Sequence, residues 1–472
     1  MRQCRRKAKL VVALLLWSVV GQGAAFVTTP RVSKTIARPG DTLHFDLWKP
    51  SGLSSRRPSH LHETFSREEH SCGGATICRQ LSFEISKQLP PRKKKRRQPE
   101  PLLQRLSFQY DCDILQLQQQ QQQQQSHVPT EKQIGVILIH PIGVGIGKWF
   151  YNRLLESLDT IYHQQSKSNQ TNTNLIVAAP DLLASGTAAN PMMYAKDADC
   201  IPLTDVSDMP FLRVNDWAAQ IGRLMANLER DYAIDEWCLV ANGGCSPIAL
   251  QVAQQSVQYQ RDKLFQQQQQ PQSTSSFESH FFQRPDEDIT KQAKLDKIQK
   301  SYKTLCGLTG KLFWWYALRN DGAFIQTFSE RNLVADAANL GDAWTRNCVA
   351  TARMNQGTSR FSTFAFLAGS LQADGCRDSL LTLRNSGVLV DLIRGRDGRR
   401  NRAKSWFWQR KKSKTKSTIQ RETLQQVLQR NGNRGNVIEV GGRISLAHED
   451  GPGYAKALLE FLARPAVVET TR

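Results

Sequence analysis

Paired cysteines are missing from this sequence of 472 residues. Its ten cysteines include no CxxC pair and no histidine at zinc-ligand spacing, so neither a zinc site nor a disulfide framework can be read from them. Free thiols, most of them simply buried, are the expected state of these residues. The pattern gives no reason to expect a metal or another cofactor.

Long apolar runs are scarce as well. Leu10–Val20 is an eleven-residue apolar run, which is short for a bilayer span of about 20 residues. It follows a cluster of Lys and Arg and precedes small residues between Gly21 and Ala25. This layout predicts a secretory signal peptide over residues 1–25. A membrane anchor that is never cleaved is the alternative.

Acidic residues are absent from Phe26–Gly40, which carries Arg31, Lys34 and Arg38 among several hydroxyl residues. Behind a signal peptide, such a segment headed by Phe resembles the bipartite plastid-targeting leader of algae with secondary plastids, such as diatoms. The resemblance implies a plastid location, whereas the residues alone indicate entry into the secretory route. We expect 26–75 to be a transit-like and disordered leader, because it shows no sustained hydrophobic period.

The net charge of +21 is unevenly distributed along the chain. Residues 1–100 carry 20 Lys and Arg against 7 Asp and Glu, and residues 394–421 carry 12 against 1, so the remainder is close to neutral. A fold that binds nucleic acid through its own surface would concentrate basic residues within the fold. Nucleic acid is therefore not the favoured partner. Trp406, Phe407 and Trp408 within the basic segment leave contact with a membrane surface open.

Strand and helix patterns alternate from about residue 134 onward. Short apolar runs at Gly135–His140, Asn174–Ala179 and Val388–Ile393 predict buried strands, and Val214–Tyr232 predicts an amphipathic helix. We also interpret Lys303–Leu308 as a strand. The alternation predicts an α/β fold with a mostly parallel sheet covered on both faces.

The domain prediction places one folded unit at 76–464, with a helical cap at 312–385. Two edge strands, Ile77–Ser86 and Leu106–Leu115, are expected to extend the sheet. Glutamine tracts and basic loops predict four insertions, at 87–105, 116–132, 254–297 and 398–420.

The stretch Trp237–Leu250 contains the strongest functional signal. A buried-strand pattern runs into an Ala-Asn-Gly-Gly-Cys turn and then into a helical pattern. Strand, tight turn and helix are the setting of a nucleophile elbow, in which a strained turn holds the reactive side chain above a parallel sheet. If the turn begins at Ala241, Gly243 takes the nucleophile position and has no side chain to react.

A second glycine-rich loop follows the strand at Gly135–His140. Its Gly143, Gly145, Gly147 and Lys148 match neither the dinucleotide-binding nor the P-loop spacing. The favoured interpretation is an oxyanion loop, which offers backbone N–H groups to a developing negative charge. The candidate residues for this binding role are His140, Pro141, Ile142, Gly143 and Gly244.

Four segments, GVILIHPIGVGIGKWFY, VAAPDLL, LVANGGCSP and GGRISLAHEDGP, together resemble the α/β-hydrolase superfamily. They look most similar to a cyanobacterial and plastid branch with a His-Pro-x-Gly-Val-Gly loop. The resemblance covers roughly 134–464 and implies an α/β-hydrolase fold with a helical cap. It also implies a triad of nucleophile, base and acid.

The triad positions are only partly filled. Besides the register with Gly243, a slipped register makes Cys245 the nucleophile, and Ser246 is a third candidate. Arg443 occupies the position of the family's base, so His448 is the nearest histidine that could replace it. Asp397 follows the penultimate strand, where the resemblance places the acid.

Two hypotheses remain open from the sequence. The first is a hydrolase of an apolar ester or lipid-like substrate, with a site rebuilt on Cys245, His448 and Asp397. The second is a catalytically inactive hydrolase-fold protein that binds an apolar ligand or a protein partner in the plastid. The oligomeric state cannot be read from the sequence.

Overall fold

The computed structural model describes residues 24–28, 76–88, 103–118, 132–166, 173–189, 191–194, 200–202, 211–269, 289–354, 359–371, 376–386, 388–396 and 436–464. The strands are β1 (Ala24–Thr28), β2 (Thr76–Gln88), β3 (Leu103–Leu117), β4 (Lys132–Ile139), β5 (Thr173–Pro180), β6 (Pro191–Tyr194), β7 (Cys200–Pro202), β8 (Glu236–Ala241), β9 (Val390–Gly395) and β10 (Val437–Val440). The helices are α1 (Asn152–Ser166), α2 (Val214–Tyr232), α3 (Ser246–Gln269), α4 (Ile289–Cys306), α5 (Leu308–Leu318), α6 (Ala323–Asn332), α7 (Gly341–Arg353), α8 (Arg360–Ala368), α9 (Cys376–Asn385), α10 (Leu446–Glu449) and α11 (Gly451–Ala463).

The strands form one sheet in the order β10-β9-β1-β8-β4-β5-β3-β6-β7, with β2 paired to β3. The strands β8, β4 and β5 run parallel to one another, and β9 runs parallel to β10, whereas β1 runs antiparallel between β8 and β9. The β2–β3 hairpin adds an antiparallel edge. The parallel run β8-β4-β5, the antiparallel edge beyond β5 and the tight turn directly after β8 confirm the predicted α/β-hydrolase fold at the level of sheet topology.

The sheet is covered on both faces. Alternate residues of β4 point to opposite sides, so Ile137 and Ile139 enter one apolar core while Val136 and Leu138 enter the other. The first core contains α2 and α3, and the second contains α1 and α11. A strand buried on both faces is apolar throughout, which is why β4 shows a continuous hydrophobic run.

The start of α2 illustrates how local sequence sets a helix end. The carboxylate of Asp216 accepts a hydrogen bond from the backbone N–H of Arg213 at 2.7 Å, which satisfies a donor that has no partner within the helix. One face of the helix then buries Trp217, Ile221 and Leu228. The predicted amphipathic helix at Val214–Tyr232 is therefore confirmed.

The predicted strand at Lys303–Leu308 is wrong. Residues up to Cys306 belong to α4, and α5 begins at Leu308. Ile298, Tyr302 and Leu305 are buried at intervals of three and four residues, which is the spacing of one helix face. A six-residue apolar fragment does not distinguish a strand from a helix segment, because its period is too short to measure.

A segment of the leader takes part in the sheet. β1 lies antiparallel between β8 and β9, with Ala25 opposite Ala241 and Phe26 opposite Asp391. It spans the predicted cleavage point behind Ala25. Nothing in the leader's composition indicates a place in the sheet.

Regular structure occurs in two further segments, one of them a predicted insertion. The segment after Thr187 includes β6 and β7, which extend the sheet beyond β3. Helix α3 continues to Gln269, well inside the predicted insertion at 254–297. Within the described ranges, no helix is long and apolar enough to cross a membrane.

Candidate functional site

The elbow lies at the carboxyl end of β8. The strand ends at Ala241, one 3-10 turn covers Gly243–Cys245, and α3 begins at Ser246. Gly243 has φ +61°, the left-handed conformation that strains any residue with a side chain. The end of the strand at Ala241 agrees with the register that puts Gly243 in the nucleophile position.

Steric crowding does not require a glycine at position 243. A Cβ placed on it would meet the Cβ of Pro141 at 3.6 Å, which is an ordinary van der Waals contact. A side chain would therefore fit at this point of the turn, although the backbone would be strained. The turn therefore has room for a side chain at Gly243, the position that the resemblance gives to the nucleophile, and carries none there.

Cys245 is fully buried. Burial raises the pKa of its thiol to about 12, although a hydrogen bond from the backbone of Ile142 acts in the opposite direction. A thiolate is the reactive form of cysteine, and at neutral pH this thiol stays protonated. The hydroxyl of Ser246, the third candidate, bonds the carbonyl of Gly243 at 3.4 Å.

His448 packs against two tryptophans that also contact each other. Its ring centroid lies 4.6 Å from that of Trp344 and 6.4 Å from that of Trp149, and its Nε2 lies 3.1 Å from the carbonyl oxygen of Leu340. Burial lowers the pKa of His448 to about 4, with the hydrogen bond to Leu340 opposing the shift and the charge of Arg153 adding to it. Its ring is therefore neutral at pH 7.

No hydrogen bond or ion pair joins Cys245 to His448 among the described residues. Nε2 of His448 is 3.1 Å from the carbonyl of Leu340. An accepting carbonyl requires the proton on Nε2, so this nitrogen is a donor rather than a base. Asp397, the predicted acid, lies outside the described residues. The triad of Cys245, His448 and Asp397 remains a prediction.

The hydrogen bonds of Arg443 are structural. Its backbone N–H donates to Glu449 Oε1 at 2.9 Å, and its Nη1 donates to the carbonyl of Arg331 at 2.6 Å. Glu449 also accepts from the backbone N–H of Ala335 at 2.7 Å. The loop behind β10 is thus tied to the end of α6 through Arg443 and Glu449.

His140 is a buried structural histidine at the start of the oxyanion loop. Its Nε2 accepts a hydrogen bond from the backbone N–H of Leu182 at 3.0 Å, so the ring proton lies on Nδ1, 3.0 Å from the carbonyl of Pro141. Burial lowers the pKa of His140, although Asp181 nearby acts in the opposite direction. The ring is neutral and holds the loop against the turn after β5.

Asp181 joins the oxyanion loop to that same turn, and it was not singled out from the sequence. Its carboxylate accepts from the backbone N–H of Lys148 at 2.7 Å and from both the N–H and the hydroxyl of Thr187, at 2.9 and 2.8 Å. A Cβ on Gly147 or Gly186 would collide with it. The glycines of both loops are therefore required by the close approach to one buried carboxylate.

Lys148 extends this network across the sheet edge. Its ammonium donates to Asp113 on β3 and lies 3.1 Å from the sulfur of Cys78 on β2. Burial would lower the pKa of Lys148, but the Asp113 carboxylate outweighs burial and the pKa is raised. This lysine ties the loop to the hairpin, and it has no phosphate-binding geometry of the P-loop type.

Helices α7 and α8 pack against the loop. The hydroxyl of Thr363 donates to the carbonyl of Gly143 at 3.0 Å, and the indole N–H of Trp149 donates to that of Gly145 at 3.1 Å. Gly145 has φ +69°, and a Cβ there would overlap the carbonyl of Cys348. The loop carbonyls are thus bonded by side chains, and the loop is pressed against α7.

Asn242 supplies the one unsatisfied donor that borders the elbow among the described residues. Its side chain is buried, and its Nδ2 has no hydrogen-bond partner. Its backbone N–H donates to the carbonyl of Ile139 at 3.2 Å, which joins the elbow to the end of β4. A buried donor without a partner costs about 1–3 kcal/mol, so an acceptor at this position would be stabilising.

No cluster of three or more metal-ligating side chains occurs in the part of the chain that the structure describes. A cavity of about 240 Å³ lies between α3 and α9, lined by Gln254, Val257 and Leu383 among others. It is separate from the elbow, and none of the predicted site residues lines it.

No protein-family model and no curated protein matches the sequence. Among solved structures, the chain is similar to wild-type Cfl2 from Burkholderia cenocepacia, with 11% identity over 77% of this chain and 98% of the other, at a TM-score of 0.36. It is similar to ALR0039 from Nostoc sp PCC 7120, with 10% identity, 81% and 99% coverage and a TM-score of 0.40. It is also similar to juvenile hormone epoxide hydrolase from the silkworm Bombyx mori, with 12% identity, 76% coverage of both chains and a TM-score of 0.33. TM-scores this low support no argument about the fold or the activity of this chain.

Proposed function

We propose that this protein is a catalytically silent α/β-hydrolase-fold protein that acts by binding an apolar ligand or a protein partner. The observation that carries the proposal is Gly243, which occupies the nucleophile position with the strained backbone and the room of an elbow but no side chain. Covalent acyl transfer needs a nucleophile beside a base. Neither is present at the positions that the family resemblance indicates.

The neighbouring groups support the same proposal. Cys245 is a buried thiol with a raised pKa, and His448 directs Nε2 to a backbone carbonyl. The oxyanion loop is held by His140 and Asp181. These contacts stabilise the carboxyl edge of the sheet and require no substrate.

A ligand with a carbonyl or carboxyl oxygen suits the region beside the elbow. The amide of Asn242 is a buried donor without a partner, next to the backbone of the turn. The surroundings are apolar, with Ile142 and Ala241 buried nearby in sequence. An apolar molecule with one acceptor oxygen would therefore suit both the apolar neighbours and the unsatisfied donor.

Catalytic inactivity is tested by assaying hydrolysis of p-nitrophenyl esters with acyl chains of about two to twelve carbons. We expect the full chain to show no turnover above buffer, and Cys245→Ala to be indistinguishable from it. Reproducible turnover that Cys245→Ala abolishes would overturn the proposal and establish the hydrolase with Cys245 as nucleophile. A parallel His448→Gln variant separates that outcome from nucleophilic attack without a base.

The test of ligand binding uses p-nitrophenyl octanoate as an unreacted probe. We expect it to raise the melting temperature of the wild type and to raise that of Asn242→Leu less, because the amide donor is lost. Asn436→Leu, which removes an exposed amide at the start of β10, three strands away from β8 in the sheet, is the control. If the probe shifts all three proteins equally, the elbow is not its binding site, and a protein partner is left as the bound species.

We propose a plastid location for this function, on the composition of the leader alone. A fluorescent protein fused behind residues 1–75 tests it. Plastid fluorescence is expected. Retention in the secretory route, or an anchored product with Met1 still present, would contradict the proposal.

A further inference from the structure

The outer face of α5 carries a row of exposed apolar side chains. Leu308, Leu312 and Trp315 are 73%, 56% and 63% exposed, while Phe313 and Trp314 on the opposite face are buried. At 3.6 residues per turn, the three exposed residues lie within about 60° of one another around the helix. We call these three residues the apolar stripe. Large apolar side chains that are exposed side by side mark an interaction surface.

Half-buried aromatic rings continue the stripe on one side. Tyr316 and Phe324 meet edge to face at 5.2 Å between centroids, and Phe324 stacks on Phe328 at 6.1 Å. The guanidinium of Arg319 lies 4.2 Å from the Tyr316 ring centroid and 5.6 Å from that of Trp315. The stripe is therefore part of an ordered aromatic surface, because its rings are fixed against each other and against an arginine.

Cations border the apolar stripe. Lys311 lies on α5 and Arg319 directly follows its last residue, and Lys300 and Lys303 are exposed on α4, which packs against α5. Within the described part of the chain, neither Lys300, Lys303 nor Lys311 forms an ion pair. The nearest exposed acid along the chain is Asp321, which lies 3.9 Å from Arg353. The surface therefore combines an apolar centre with a positive border.

We propose that the apolar stripe and its cationic border bind the surface of a bilayer that contains anionic lipid. Leu and Trp side chains enter the boundary between headgroups and acyl chains, and Lys and Arg contact the lipid phosphates. Trp315 suits this boundary because its ring is apolar and its indole N–H is polar.

Charge argues against a second copy of the chain as the occupant. A two-fold dimer brings the same patch of both subunits together, so the four cations that border one apolar stripe would face the four that border the other. Like charges placed opposite each other repel, whereas phosphate headgroups attract all of them. The same surface is therefore better matched to an anionic layer than to itself.

The experiment is sedimentation of the purified full chain with vesicles of phosphatidylcholine and phosphatidylglycerol, beside vesicles of phosphatidylcholine alone. We expect binding to the anionic vesicles, and a partition coefficient about tenfold lower for the double variant Leu312→Glu/Trp315→Glu, because buried apolar area at the interface drives binding. Raising the salt concentration is expected to weaken binding of the wild type, since the lipid charges are screened.

The control is Lys456→Glu on α11, which changes the net charge by the same amount as the double variant. Lys456 is exposed and pairs with Glu460 at 4.0 Å. We expect it to bind vesicles like the wild type, and we expect both variants to keep the melting temperature. The leader and the basic segment 394–421 are present in every protein, so the difference between variants reports on the stripe.

Three outcomes would overturn the proposal. The first is equal binding of the double variant and the wild type, which would place any membrane contact elsewhere in the chain. The second is no binding by the wild type, or binding to neutral vesicles as strong as to anionic ones. The third is a wild-type dimer in light scattering that the double variant converts to a monomer without change in vesicle binding, which would identify a second copy as the occupant.

Discussion

The elbow at Gly243 and the outer face of α5 are opposites in how their side chains are used. Around the elbow, His140, Asp181 and His448 are buried and hydrogen-bonded to the chain itself. On α5, Leu312 and Trp315 are exposed to solvent. The side chains around the elbow, which the sequence marks as reactive, thus make contacts that stabilise the fold. The outer face of α5, which carries no sequence motif, is exposed and available to a partner.

The first prediction tests how much of the fold depends on the buried network at the sheet edge. Asp181→Ala removes an acceptor from three donors, on the half-buried residues Lys148 and Thr187. We expect a loss of about 4 kcal/mol in the free energy of unfolding, since each unsatisfied donor costs about 1–3 kcal/mol. Urea denaturation measures it. Asp181→Asn, which keeps one oxygen, is the control and should lose less.

The second prediction compares two glycines that share a left-handed backbone. In Gly145→Ala the new methyl group would overlap the Cys348 carbonyl, and in Gly243→Ala it would meet only Pro141 at 3.6 Å. We expect Gly145→Ala to lose about 3 kcal/mol and Gly243→Ala about 1 kcal/mol, which is the cost of the backbone strain alone. Equal losses in urea denaturation would mean that the elbow is as crowded as the loop.

The third prediction concerns pH. His448 has a pKa lowered to about 4 in the folded protein, against about 6.5 for an unperturbed histidine. The unfolded chain therefore binds more protons between these values, and stability is expected to be complete above about pH 6.5 and to fall as the pH drops towards 4. His448→Gln should flatten the melting temperature over this range. A slope that the substitution leaves unchanged would assign the effect to other groups, of which His140 is the first candidate.

The fourth and smallest effect is expected on α5. Leu312→Glu should change the free energy of unfolding by less than about 0.5 kcal/mol, because substitutions at exposed positions seldom matter for stability. Phe313→Glu, at the next residue, buries a charge in the core and is expected to prevent folding. Circular dichroism melting of the two variants distinguishes the faces. A large loss in Leu312→Glu would show that the stripe is packed rather than exposed.

Local pattern was enough to predict the elbow and the central strands. The run before Ala241 is apolar because β8 is buried, and the turn after it is rich in glycine because the backbone becomes left-handed there. Both signals lie within a dozen residues. The assignment of Gly243 to the nucleophile position follows from them and agrees with where β8 ends.

The contacts of the site could not be predicted in the same way. Asp181, Lys148 and Asp113 come from separate parts of the chain, and no spacing within the sequence links them. The strand prediction at Lys303–Leu308 failed for a related reason, because the helical period shows only when Ile298 and Tyr302 are included. Arg443 and Cys245 were recognised as unusual, but their bonding to Glu449 and to Ile142 depends on loop geometry.

The position of β1 has a consequence for the order in which the chain folds. Ala24–Thr28 is synthesised before the rest of the sheet, yet its two partners, β8 and β9, are synthesised much later. Pairings between distant parts of a chain form slowly, because the entropy cost of closing a long loop comes before the pairing contributes any stabilisation. The first strand to emerge is therefore among the last to be placed, and until then the gap between β8 and β9 exposes two open strand edges.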